Sequence, residues 1–171
     1  RQIYISLGTV NNRSRSFYRA CLEALRCWEG GRAVLSLGGG CRPEELGDVP
    51  PNVQVFPQVD QLAVLSQSDA FLSHCGMNSV SESLYLGVPL VLFPQQEEQG
   101  MVARRVQELG AGIPLPAPTP AAIHQALSLV LADPAFQHSA QHISEGFRAA
   151  GGYRRGADNI LEAAMGSAPL P

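Results

Sequence analysis

Charged residues are scarce in this sequence: they make up 16% of its 171 residues, and the net charge is only −3. No basic stripe and no basic amphipathic helix stands out, so the sequence favours neither nucleic acid nor a membrane surface as a partner. Hydrophobic residues reach 45%, which indicates a packed core and argues against disorder. The length fits one α/β domain.

Long hydrophobic runs are also missing. The longest strongly apolar stretch runs from Leu84 to Pro94 and is interrupted by Gly87 and Pro89. A membrane-spanning helix needs about 20 predominantly apolar residues, so we expect no membrane span. We also expect no signal peptide.

Cysteine is present but never as a CxxC pair. The four cysteines are scattered through the chain, at Cys21, Cys27, Cys41 and Cys75. Such scatter predicts reduced thiols in a cytoplasmic protein, and most of them should be small buried hydrophobic residues without a redox role.

The first residues resemble a core strand rather than a natural beginning, because Arg1 leads almost directly into an apolar run ending at Leu7. We therefore expect a fragment cut at a domain boundary. Residues 1–165 should form one domain, and residues 166–171 a flexible tail. The length of the natural gene product would test this hypothesis.

Short apolar runs alternate along the chain with segments of helical periodicity. The predicted strands are Gln2–Leu7, Ala33–Leu37, Val53–Phe56, Ala70–Ser73 and Leu90–Phe93. The predicted helices are Ser16–Trp28, Gln61–Ser66, Asn78–Leu86, Gln99–Leu109, Pro120–Leu131, Pro134–Ala149 and Tyr153–Ala164, with a proline-rich loop at Pro114–Pro120. This alternation implies parallel pairing through right-handed crossovers. We predict an α/β fold: a Rossmann-like open parallel sheet of about six strands with helices on both faces.

Open parallel sheets bind ligands at the carboxyl ends of their strands. Four short segments that follow predicted strands are polar or contain glycine: Gly8-Thr9, Pro57–Gln61, His74–Ser79 and Pro94–Gln99. The candidate site therefore lies at this edge of the sheet.

The segment from His74 to Glu82 has the chemistry of a nucleotide site. Gly76 allows close approach of a ligand, and Asn78 or Ser79 can cap the helix that begins near Asn78. The start of that helix attracts anions, His74 can donate to a phosphate oxygen, and Glu82 can accept from two vicinal hydroxyls. Two plainer interpretations stay open: Ser79 and Glu82 have capping-box spacing, and His74 could be a core histidine.

Other polar residues carry weaker signals. Glu98 and Gln99 can hold hexose hydroxyls, although acidic residues there also suit a helix N-terminus. His138 and His142 are four residues apart but lack a third metal ligand, so a solvated helix face is favoured. Gly38–Gly40 lacks the G-x-G-x-x-G spacing of a dinucleotide site, which disfavours a Rossmann oxidoreductase.

Ordered blocks along nearly the whole chain resemble one known family. They are Ser6–Thr9, Gln61–Leu65, His74–Glu82, Gly87–Pro89, Phe93–Gln95, Glu98-Gln99, Ala103, Leu109–Gly112 and Gly151–Asp158. In these blocks the chain resembles the C-terminal domain of family 1 glycosyltransferases of GT-B fold, and especially the bacterial macrolide and antibiotic group. Ordered blocks at family spacing are more specific than a single motif.

The resemblance implies a nucleotide-sugar donor site. His74 would contact the diphosphate, Gly76, Asn78 and Ser79 would add phosphate contacts, and Glu82 would bind the ribose. The remaining implied contacts are Thr9 near the phosphates, Val59 and Gln61 at the base and ribose, and Glu98 and Gln99 at the hexose.

The chain departs from the family where an aromatic residue often stacks on the base, two places before a Pro-Gln pair. The aligned residues are Gln58 and, in place of the proline, Asp60, followed by Gln61. The alternative register, with Pro57-Gln58 as the pair, leaves extra residues before His74. The sequence leaves open whether the donor carries uracil or thymine.

The family's chemistry is an inverting, metal-independent transfer of a hexose from a UDP- or dTDP-sugar to a hydroxyl of a small, lipophilic acceptor. By resemblance, the general base and most of the acceptor pocket belong to an N-terminal domain that this sequence does not include. We therefore expect no catalytic residue and no cofactor here, and little or no transfer by this chain alone. The alternative is a stand-alone nucleotide-sugar-binding subunit that needs a partner chain. Gene length would separate the two.

Overall fold

A six-stranded, all-parallel sheet forms the centre of the molecule in the computed structural model, which describes residues 1–166. The strands are β1 (Gln2–Ser6), β2 (Arg32–Ser36), β3 (Val53–Phe56), β4 (Ala70–Ser73), β5 (Leu90–Leu92) and β6 (Gly112–Pro114). Their order across the sheet is β3-β2-β1-β4-β5-β6. The predicted open parallel sheet is thus confirmed. The direction of strand order reverses between β1 and β4, which is the topological switch point of such sheets.

Helices cover both faces of the sheet, as the sequence predicts. They are α1 (Arg15–Arg26), α2 (Gln61–Leu65), α3 (Met77–Tyr85), α4 (Glu97–Glu108), α5 (Pro120–Ala132), α6 (Pro134–Ala149) and α7 (Gly152–Ala164), with a short 3₁₀ helix at Pro43–Leu46. Side chains of α1 and α5 share one buried cluster with Ile3 and Ile5, whereas α3 and α4 share the other with Tyr4 and Phe71. Strand residues therefore alternate between two cores, which are buried by helices on opposite faces.

The observed bounds depart from the expected ones in a few places. Strand β6 ends at Pro114, where the sequence predicts the start of a loop. Helix α4 begins at Glu97 rather than at Gln99, and α3 begins at Met77 rather than at Asn78. The last five positions of the predicted tail, 167–171, lie outside the described residues.

The final helix, α7, differs from the others because none of its residues is buried. Two glycines with left-handed backbone stand at its start: the N-cap residue Gly151 at φ 76° and the first helical residue Gly152 at φ 55°. Its large apolar side chains are exposed: Tyr153 by 82%, Ile160 by 71% and Leu161 by 57%. The helix therefore presents apolar surface that the rest of the domain does not cover.

Two sequence expectations about the whole domain can be compared with the structure. All four cysteines are free thiols; only Cys27 is exposed, so most of them are buried as expected. Within residues 1–166, no helix combines the length and the apolar composition that a membrane crossing requires.

Candidate functional site

A polar cleft of about 750 Å³ opens at the carboxyl edge of the sheet, around the switch point between β1 and β4. All of the predicted site residues line it: Thr9, Val59, Gln61, His74, Gly76, Asn78, Ser79, Glu82, Glu98 and Gln99. The structure thus brings together residues that lie far apart in sequence. Their binding roles remain predictions.

The first turn of α3 faces this cleft without a side-chain cap. Gly76 occupies the N-cap position in an extended conformation, and the first helical bond runs from the Val80 amide to the Gly76 carbonyl, at 3.0 Å. The amides of the three residues between them precede that first bond, so helix geometry leaves them without intrahelical acceptors. Oriented amides at a helix start form a ready anion site.

The expectation that Asn78 or Ser79 caps this helix is wrong. Because α3 begins one residue earlier, both residues lie inside its first turn. The capping-box interpretation of Ser79 and Glu82 fails for the same reason, since a capping box requires the serine at the N-cap. Glu82 is therefore available for other contacts.

His74 is wedged between two glycines at the cleft. A Cβ built on Gly8 would lie 2.6 Å from its Cε1, and one built on Gly76 would lie 2.5 Å from its Nε2. The ring is half-buried and lines the cleft, so it is not the interior core histidine of the plainer interpretation. Burial lowers the pKa of His74, whereas the nearby backbone of Ser6 acts to raise that pKa. Its Nδ1 is buried and makes no hydrogen bond of normal geometry among residues 1–166.

A hydrogen-bonded chain connects the base of the cleft with Glu82. The Tyr4 hydroxyl donates to Oε1 of Gln61 at 3.2 Å. Gln61 Nε2 in turn donates to Ser79 Oγ at 3.2 Å and to Glu82 Oε2 at 2.6 Å. Gln61 and Glu82 therefore belong to one hydrogen-bonded network.

The segment before α2 gives the cleft no aromatic platform. Gln58 and Val59 line the cleft, whereas Asp60 caps α2 by accepting from the Ala63 amide at 3.1 Å. Tyr4 is the aromatic residue of the lining, and its side chain is buried. The structure therefore has Gln58, and no aromatic side chain, at the position where the family often stacks an aromatic residue on the base.

Glu98 and Gln99 lie in the first turn of α4, at the opposite side of the cleft from Gln58 along the sheet order. Glu98 is exposed, while the Oε1 atom of Gln99 accepts from the Gln95 amide at 2.8 Å. The amide nitrogen of Gln99 is thus left for a ligand hydroxyl. Both carboxylate oxygens of Glu98 are likewise left for ligand hydroxyls.

Asn12 was not expected from the sequence, yet it holds two loops of the cleft together. Its buried side chain donates to the Gly8 carbonyl at 2.9 Å and to the Gly38 carbonyl at 2.7 Å. The loops after β1 and β2 are thereby joined beside the cleft. An asparagine after a predicted strand was the only available signal, and loops often contain asparagine without such a role.

Cys75 has an unusual backbone, with φ at 66° in a non-glycine residue. Its amide N–H donates to Ser73 Oγ at 3.1 Å, which supports the turn from β4 into α3. Burial raises the pKa of the Cys75 thiol to about 12. The thiol is therefore protonated and unreactive at neutral pH, in agreement with the expected lack of a redox role.

The charged groups of the lining are acidic. Glu82 and Glu98 contribute carboxylates, and the lining includes no arginine or lysine within the described part of the chain. An anion bound here would rely on the α3 amides and His74 rather than on cationic side chains. His138 and His142 are exposed on α6, as expected for a solvated face. Residues 1–166 contain no group of three potential metal ligands.

An all-parallel sheet in this order, with a polar cleft at its switch point, defines the class of Rossmann-like α/β domains. Residues 32–151 match the family model described as the erythromycin biosynthesis protein CIII-like C-terminal domain. The chain belongs to this family of glycosyltransferase C-terminal domains, and its fold is that of the C-terminal half of GT-B enzymes.

Individual relatives agree with this assignment. The chain is 39% identical over 171 residues to the NDP-glycosyltransferase YjiC of Bacillus subtilis, covering 98% of this chain and 43% of that protein. It is 32% identical over 165 residues to the oleandomycin glycosyltransferase of Streptomyces antibioticus, covering 95% and 38%. The crystal structure of the glycosyltransferase of kitacinnamycin superposes with a TM-score of 0.88 at 34% identity, covering 95% and 42%. The chain spans about two fifths of the length of the curated relatives it matches.

Proposed function

We propose that this chain is the donor-binding half of an inverting, metal-independent glycosyltransferase. It binds a UDP- or dTDP-sugar, whose hexose is transferred to a hydroxyl of a small, lipophilic natural product. One observation carries the proposal: the uncapped first turn of α3 opens into a cleft that also contains the imidazole of His74 and the carboxylate of Glu82.

The start of α3 suits the diphosphate. Its amides and the positive end of the helix face the cleft, where an anion is stabilised by both. His74 adds a ring N–H beside them. Negative charge grows on the β-phosphate as the glycosidic bond breaks, so donors fixed at that position stabilise the transition state. Removing one such donor typically costs about 2.7–4 kcal/mol of activation free energy at comparable oxyanion sites.

The rest of the cleft accommodates the rest of the donor. Glu82 accepts from the ribose hydroxyls, and Val59 and Gln61 lie on the same side for the base and ribose. On the side of α4, Glu98 and the amide nitrogen of Gln99 bind hexose hydroxyls. The names of the relatives, which include a UDP-glucosyltransferase and an NDP-glycosyltransferase, support a nucleotide-sugar donor.

The remaining parts of the enzyme lie in an N-terminal domain. We assign to it the general base and most of the acceptor pocket, since the curated relatives are more than twice as long as the matched region. The exposed apolar face of α7 would pack against that domain. The isolated chain should therefore bind the nucleotide and transfer no sugar.

Isothermal titration of this chain with UDP, dTDP and UDP-glucose tests the proposal, with and without EDTA. We expect saturable binding that EDTA does not change. His74→Ala should weaken it strongly, whereas His138→Ala, on the exposed face of α6, should not. Absence of binding to every nucleotide, or an equal effect of the two histidine variants, would refute the donor site.

The alternative, a stand-alone nucleotide-sugar-binding subunit, predicts the same titration but a different gene. It requires a separate partner chain, whereas the half-enzyme requires a continuous coding sequence about twice as long. The partial coverage of full-length relatives favours the half-enzyme.

A further inference from the structure

Tyr4 lies at the floor of the cleft. It is not among the residues that the sequence predicts to contact a ligand. Its ring is buried on β1 and stacks on Phe71, with centroids 4.6 Å apart and planes at 19°. Its hydroxyl points to the cleft floor and donates to Gln61 Oε1 at 3.2 Å. Burial raises the pKa of Tyr4, so at neutral pH the hydroxyl keeps the proton that it donates.

Two contacts hold the Gln61 amide at its two ends. The Glu82 carboxylate can only accept, so the amide nitrogen turns to Glu82 and Ser79, and the Tyr4 hydroxyl holds the amide oxygen on the other side. The reverse orientation would place the amide oxygen against the Glu82 carboxylate, and two acceptors in contact repel each other. In the observed arrangement Gln61 holds Oε2 of Glu82 at 2.6 Å, while the other oxygen remains for a ligand.

We propose that Tyr4 is a positioning residue for the nucleotide ribose, acting through Gln61 to hold the Glu82 carboxylate for the ribose diol. The proposal rests on the proposed function, since it requires a nucleotide in the cleft. It gives a role to a residue that acts through another: the hydroxyl of a core tyrosine on β1 controls how well a carboxylate on α3 recognises two hydroxyls.

Tyr4→Phe tests this inference, because phenylalanine keeps the buried ring and its stack on Phe71 while removing the hydroxyl. The probes are UDP and 2′,3′-dideoxyuridine 5′-diphosphate, which lacks both ribose hydroxyls. We expect the variant to bind UDP about 3- to 10-fold more weakly, the range for one net hydrogen bond. Its affinity for the dideoxy nucleotide should equal that of the wild type.

Tyr18→Phe is the matched control. Tyr18 is also a buried tyrosine, but it packs in the other core cluster, and its hydroxyl donates to the Leu37 carbonyl at 3.5 Å rather than to Gln61. This variant should leave the ratio of the two affinities unchanged. Gln61→Met interrupts the same series of hydrogen bonds at its half-buried middle residue. If Tyr4→Phe does not fold, Gln61→Met should show the same selective loss of UDP affinity.

The outcomes separate this inference from the proposed function. Equal weakening for both nucleotides would assign Tyr4 a merely structural role and overturn the inference. Equal affinity of the wild type for both nucleotides would also overturn it, while nucleotide binding itself would stand. If the wild type binds neither nucleotide, the proposed function fails and the inference fails with it.

Discussion

The imidazole of His74 occupies the space in which any side chain at Gly8 would begin. A Cβ at Gly8 would lie 2.6 Å from Cε1 and 2.8 Å from Nε2 of His74. Gly8 follows β1 and His74 follows β4, and these strands are neighbours at the switch point of the sheet. The position of the ring therefore depends on the absence of a side chain on the adjacent strand end.

Gly8→Ala should both destabilise the domain and displace the His74 ring. Alanine at φ +75° is strained by itself, and its Cβ would also overlap the imidazole. Gly39→Ala is the matched control, because Gly39 has φ +81° but nothing within 4 Å of a Cβ. We expect a loss of about 1–3 kcal/mol of unfolding free energy for backbone strain in both variants. A further loss, and weakened UDP binding, should occur only in Gly8→Ala. Chemical denaturation and calorimetry measure the two effects; identical behaviour of both variants would contradict the close contact.

The lowered pKa of His74 predicts how stability depends on pH. In the unfolded chain a histidine titrates near about 6.5, whereas burial lowers the pKa of His74 in the folded domain. The unfolded state thus binds more protons between the folded value and about 6.5. The contribution of His74 to the unfolding free energy is complete above about pH 6.5. It is lost as the pH falls through the pKa that His74 has in the folded domain. His74→Gln should therefore flatten the decline of unfolding free energy between pH 7.5 and 5.5, measured by denaturant titration. His138→Gln, at an exposed position, should not; equal slopes in all three proteins would refute the assignment.

Asn12→Ala should loosen the cleft, because it removes both donors that join the Gly8 and Gly38 carbonyls. Two part-buried carbonyls lose their partner, which we expect to cost about 1–3 kcal/mol of unfolding free energy. UDP affinity should fall as well, since Gly8 positions His74. Asn11→Ala, at the exposed neighbouring position, should change stability little. An Asn12→Ala domain of wild-type stability would mean that water replaces the amide without loss.

Removal of α7 should change the stability of the domain little, because none of its residues is buried. Truncation after Gly151 should leave the melting temperature and the UDP affinity close to those of the whole chain. Truncation before Pro134 should lower stability strongly, since it also removes Ala140 and Ser144, which α6 buries against the domain. Thermal melts followed by circular dichroism compare the two truncations. A large drop after the shorter truncation would show that α7 is part of the core.

The fold could be predicted from local patterns because each buried strand is an apolar run ended by glycine, proline or a polar segment. The runs at Gln2–Leu7 and Ala70–Ser73 illustrate this, and both match observed strands closely. Strand β6 is missing from the five strands predicted by position, because Gly112–Pro114 has only three residues. Two of them are glycine and proline, which disfavour strands. Its pairing with β5, rather than its own composition, makes it a strand.

The site could be predicted in its residues but only partly in its geometry. All of the expected residues line the cleft because parallel strands bring their carboxyl ends to one edge. The helix start at Gly76 was missed because serine and asparagine are better caps than glycine by composition alone. Tyr4 and Asn12 were missed because their roles depend on contacts across 57 and 26 positions of sequence. Such contacts leave no local pattern.

The whole lining of the cleft comes from residues 4–99. Beyond Gln99, the described part of the chain completes the sheet and its cover, and its last helix, α7, has exposed apolar side chains. Substitutions in these trailing helices can therefore accumulate without changing any side chain that forms the wall of the cleft.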